Sequence, residues 1–110
     1  MSKLSRIEML KIFAEQEPEN PFNWYALALE NQDSDPDNAA IYFNKLLVEH
    51  KVYLPTYFHA AAFFHELGDI EKAKVIYEKG IGLAEDQKNE KTLKELKNSY
   101  QNFLFENDLD

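Results

Sequence analysis

Three carboxylates at alternating positions, Asp33, Asp35 and Asp37, have the spacing with which a calcium-binding loop begins. Such a loop needs Gly at its sixth position for the sharp turn and a bidentate Glu at its twelfth, and here those positions hold Asn38 and Asn44. Helix capping accounts for the same residues without a metal. The three histidines fare no better as ligands. His59 and His65 stand six residues apart, on different faces of any helix, and no i,i+4 pair on one helix completes either as a zinc site, since Asp69, four residues after His65, lies beyond the turn at Gly68; His50 lies in another segment. There is no cysteine, no Gly-rich phosphate loop and no Ser in a nucleophile turn. Catalysis, metals and cofactors are therefore not expected, and the chemistry left to the chain is contact.

Composition sets the limits of that contact. The chain has 110 residues, close to the size of one domain, with eight Phe, six Tyr and one Trp, enough apolar surface to order it. Three Gly and four Pro disfavour a many-turned β-sandwich or barrel. The net charge of -8 speaks against nucleic acid and anionic membrane, since both call for cationic surface. Acidic residues dominate from Glu8 to Glu49, where Lys11 and Lys45 are the only basic residues; lysines gather from Lys72 to Lys97 among interleaved acids. The first fourteen residues are too polar for a signal peptide and no apolar run reaches membrane-spanning length, so a cytoplasmic location is expected.

The pattern predicts six helices. The first has Ser5 as N-cap and Glu8 as capping-box partner, an apolar face of Ile7, Leu10, Phe13 and Ala14, and an end at Pro18. The second opens at Asn20-Pro21 and carries Trp24, Leu27 and Ala28 to about Asn31. Asp35 caps the third, which Pro36 opens and which carries Ala39, Phe43, Leu46 and Leu47 to about Lys51. The fourth runs from Pro55 through Tyr57, Ala60, Ala61 and Phe64 to Gly68. Asp69 caps the fifth, with Ile70, Ala73, Ile76, Tyr77, Gly80, Ile81 and Ala84 inward. The polar run from Glu85 to Asn89 is consistent with a loop or a bend. The sixth shows Leu93, Leu96, Tyr100, Phe103 and Leu104 as one stripe, followed by an acidic tail.

A period underlies these helices. Pro21 and Pro55, Asp35 and Asp69, Ala39 and Ala73, and Phe43 and Tyr77 are each 34 residues apart, the helix-turn-helix repeat length of the tetratricopeptide family. The segment from Leu54 to Glu85 resembles that repeat closely: Tyr57, Ala61 and Phe64 in its first helix, Gly68-Asp69 at the turn, then Ala73, Tyr77 and Gly80. The preceding repeat has Trp24, Leu27 and Ala28, then Ala39, Phe43 and Leu46, with Asp35-Pro36 in place of a Gly turn. The resemblance implies an all-α fold in which antiparallel helix pairs stack as a short right-handed solenoid. The divisions are a half-repeat helix at 6–20, repeats at 21–53 and 54–87, and a capping helix at 89–105, all within one domain spanning 1–110.

In this family the first helices of successive pairs line a concave groove that holds a peptide or a helix. The matching positions are Phe22, Tyr25 and Leu29 in the second helix and Phe58, Ala62, His65 and Glu66 in the fourth. None is Lys, Arg or Asn, so the family's clamp on a C-terminal carboxylate is not carried over. The implied function is a non-catalytic adaptor or scaffold whose aromatic, acid-rimmed groove takes an apolar or basic segment of a protein partner. The alternative is a homodimer that buries the same strip.

Overall fold

The computed structural model describes residues 2–109. Among them are six α-helices and no strand: α1 (Lys3–Gln16), α2 (Pro21–Asn31), α3 (Pro36–Glu49), α4 (Pro55–Glu66), α5 (Ile70–Asp86) and α6 (Glu90–Glu106). The expected all-α class and the six helices are what the chain adopts. It divides into two compact units, one ending at Thr56 and one beginning at Tyr57, so the boundary falls inside the first turn of α4.

In the first unit α2 packs between α1 and α3. Asn20 starts α2 by accepting the Phe22 amide on Oδ1 at 3.0 Å, with Pro21 in the first turn, where its missing N–H costs nothing. Asp35 starts α3 in the same way through the Asn38 amide, and its other oxygen accepts from Asn38 Nδ2 at 2.7 Å. The turn between α1 and α2 is pinned by the Trp24 indole N–H, which donates to the Pro18 carbonyl at 3.0 Å. Leu27, Phe43 and Leu46 are fully buried, each contributing about 1.5–3 kcal/mol of apolar burial, and Ala28 and Ala39 are fully buried where bulkier residues would not fit. Leu10, Trp24 and Tyr42 pack half-buried against Ile7, Ala14 and Leu27.

Two expectations for α1 need correction. The helix begins at Lys3, one turn before the predicted Ser5–Glu8 box: Ser2 is the N-cap and its hydroxyl accepts the Ser5 amide at 3.1 Å. An earlier capping residue gives a longer helix and more backbone hydrogen bonds, so it displaces the later one. Phe13, expected on the buried face, is 43% exposed. Helix α3 also stops short of Lys51, at Glu49, with the His50 amide closing on the Leu46 carbonyl at 2.9 Å.

In the second unit the chain reverses between α4 and α5 at Gly68, whose φ of +88° is cheap only for Gly. The Gly68 amide donates to the His65 carbonyl and the Asp69 amide to the Phe64 carbonyl, both at 2.9 Å, the paired bonds of a Schellman closure. The polar run after α5 resolves into the same device. Helix α5 continues to Asp86, Lys88 takes φ +56°, the amides of Lys88 and Asn89 close on the carbonyls of Glu85 and Ala84, and Asn89 caps α6. The helices meet on a small-residue seam at Gly80 of α5, against Tyr57 of α4 and Leu96 of α6. Beside it the rings of Tyr77, Tyr100 and Phe103 pack with centroids 5.3–6.2 Å apart, fixing α6 on α5.

Candidate partner-binding surfaces

Nothing among the described residues gathers three or more His, Asp or Glu side chains in a way that could hold a metal ion. Asp33 and Asp37 are exposed, and Asp35 is engaged in its cap. Burial pushes His59 below its ordinary value, which leaves that imidazole uncharged at neutral pH. The remaining features are apolar surfaces.

On α2, Phe22, Tyr25 and Leu29 fall at i, i+3 and i+7 and share one face. Phe22 is 55% exposed, whereas Tyr25 and Leu29 are half-buried. Tyr25 is not a bare anchor: its ring meets Tyr53 edge-on at 5.6 Å, and burial, then the neighbouring Tyr53, raises its hydroxyl above the usual tyrosine value. Tyr53 in turn lines an open depression of about 580 Å³ with Glu19, Pro21, Val48 and Val52. Val48 and Val52 are 67% and 74% exposed. The sequence reading missed this extension, because Val52 and Tyr53 lie in a loop outside any helical stripe.

On α4, Phe58, Ala62, His65 and Glu66 fall at i, i+4, i+7 and i+8 and again share a face. Phe58 is 37% exposed, and Ala62 and Glu66 are exposed. His65 is tied down within its own unit. Its ring stands edge-on to Phe103 at 4.8 Å, and its Nε2 lies 3.1 Å from Asn107 Nδ2 and 3.9 Å from Glu106. Asn107 Nδ2 also donates to the Phe103 carbonyl at 2.8 Å, which fixes the amide as donor and the imidazole Nε2 as acceptor. His65 therefore joins α4 to the end of α6, and Phe58, Ala62 and Glu66 are the members of the strip left facing outward.

Among the described residues no helix is long and apolar enough to cross a membrane. No family model matches the sequence, and no curated protein does. The chain is similar to the solution structure of a tetratricopeptide repeat domain protein from Salinibacter ruber. The two are 31% identical with a TM-score of 0.73, over 79% of this chain and 89% of that one. Folds of this kind serve protein interaction in general and are typically non-catalytic. The 34-residue period, the close helix approach at Gly80 and this likeness agree, and the chain belongs to the tetratricopeptide-repeat family.

Proposed function

We propose that the chain is a cytoplasmic adaptor or scaffold, not an enzyme, that binds an apolar or basic peptide or helix of another protein. The surfaces are the α2 strip of Phe22, Tyr25 and Leu29 and the α4 strip of Phe58, Ala62, His65 and Glu66, on helices that open the repeats assigned to 21–53 and 54–87. The observation that carries this reading is the exposure of two phenylalanine rings, Phe22 at 55% and Phe58 at 37%, on helices whose other faces are buried. Large aromatic rings left in water at such positions are the usual anchors of a contact surface. Asp33, Glu66 and the net charge of -8 favour a basic partner, and their effect is mainly on association rate.

A displayed peptide library tests it. The chain should enrich peptides that combine large apolar side chains with Lys or Arg. The double variant Phe22→Ala/Phe58→Ala should bind them at least about 30-fold more weakly, corresponding to about 2 kcal/mol, at unchanged helicity. Equal enrichment by the double variant would sink the assignment. Tyr25 is a poorer test residue, since its removal also strips Tyr53 of its ring partner.

A further inference from the structure

An open hollow of about 190 Å³ lies in the second unit, lined by His65 of α4, Tyr77 of α5 and Ser99, Asn102, Phe103 and Glu106 of α6. Ser99, Asn102 and Glu106 fall at i, i+3 and i+7 and share one face of α6. Lys91, Lys94 and Lys97 stand on the same helix, yet no Lys or Arg lines the hollow. Glu106 ends α6, at the negative pole of the helix dipole, and the last turn holds no basic residue to offset it. His65 Nε2 lies 3.9 Å from that carboxylate but accepts from Asn107, so among the described residues no cationic side chain is paired with Glu106. Burial first, then the charge of Glu106, raises the Tyr77 hydroxyl above the usual tyrosine value, which keeps the phenol neutral beside the carboxylate. The oxygens of Tyr77, Ser99, Asn102 and Glu106 all accept hydrogen bonds. A primary ammonium, with three donors and no acceptor, complements such a set, whereas the planar fork of arginine is matched by paired acceptors. His65 also shares the α4 face of Phe58 and Ala62, so the hollow adjoins that strip.

We propose that this hollow is the subsite for a lysine side chain of the partner protein, whose ammonium reaches Glu106. The inference rests on the partner-binding reading above and narrows its basic residue to lysine.

Two blocked tripeptides test it: acetyl-Phe-Lys-Phe-amide and the same peptide with its lysine side chain acetylated. Each is titrated into the isotope-labelled full chain and followed by backbone amide NMR shifts. Blocking both ends leaves the lysine side chain as the only cation on the peptide. The lysine peptide should shift Ser99, Asn102 and Glu106, and the acetylated peptide should leave them in place. Glu106→Gln should weaken binding of the lysine peptide about three- to fivefold, and Glu90→Gln, at the opposite end of α6, should not. No shift at the hollow, equal shifts from the two peptides, or equal loss in the two variants would overturn the proposal, whatever the peptide library shows. The variant Phe22→Ala/Phe58→Ala reads the strips separately: hollow shifts that survive it, alongside equal library enrichment, support the subsite and sink the strips.

Discussion

Gly80 and Tyr57 approach so closely that a Cβ added to the glycine would lie 2.7 Å from Tyr57 Cβ, with Leu96 Cδ1 only 3.3 Å away. Neither neighbour atom is the end of a flexible chain on the Tyr57 side, so α4 and α5 would have to separate. Gly80→Ala gains about 1 kcal/mol of helix propensity. Overpacking of a tight core costs about 1–3 kcal/mol. The net expectation is a loss of stability, the reverse of the usual outcome for Gly in mid-helix, and urea titration reads it directly.

Lys88 and Gly68 occupy the same backbone conformation after successive helices, with φ of +56° and +88°. Only one of them is the residue that adopts it without strain. Lys88→Gly should raise stability by about 0.5–1 kcal/mol, and Gly68→Ala should lower it by about 1–2 kcal/mol. Opposite signs from a matched pair of closures would be hard to obtain from any other cause. A Lys88→Gly variant that melts below the parent would contradict this account.

Tyr100 donates to Glu78 at 2.6 Å. Burial first, then the hydrogen bond and negative charge of Glu78, push its hydroxyl from 10.0 up to about 12. The folded state thus holds this proton more tightly than the unfolded chain. The associated stability is present in full below about pH 10 and is lost as pH rises toward about 12. Absorbance near 295 nm should show a tyrosinate forming in the upper part of that window, and Tyr100→Phe should remove that step. A Tyr100→Phe titration identical to the parent would dismiss the assignment.

Trp24 is half-buried, with its N–H on the Pro18 carbonyl and the Lys45 ammonium 4.7 Å from its ring centroid. Trp24→Phe keeps much of the ring volume but loses the hydrogen bond, and should cost about 1 kcal/mol. Trp24→Ala also opens a gap against Tyr42 and Leu27 and should cost about 3 kcal/mol. Guanidinium midpoints that coincide for the two variants would show that the Pro18 contact, which both lose, and not packing, dominates.

The helix starts were legible wherever a single strong capping residue stood beside a Pro or after a Gly, as at Asn20, Asp35 and Asp69. At α1 two serines competed three residues apart, and local pattern alone does not weigh the extra turn that Ser2 permits. The exposure of Phe13 was hidden for a related reason: periodicity shows which residues share a face, not whether a neighbouring helix is present to cover it. His65 shares a face of α4 with Phe58 and Ala62, but its contact with Asn107 spans 42 residues of sequence and depends on how α6 packs. The turn at Lys88 had no signal, because lysine is not a residue that marks a left-handed backbone.

The placement of the lone tryptophan has a consequence for how cooperativity can be measured. Trp24 lies in the unit that ends at Thr56, while Tyr100 and its high-pKa hydroxyl lie in the unit that begins at Tyr57. Indole fluorescence therefore reports on the first unit, and the tyrosinate absorbance that differs between the parent and Tyr100→Phe reports on the second, with no label required. Denaturation curves that coincide at the two wavelengths identify a single cooperative transition, and curves that part identify two.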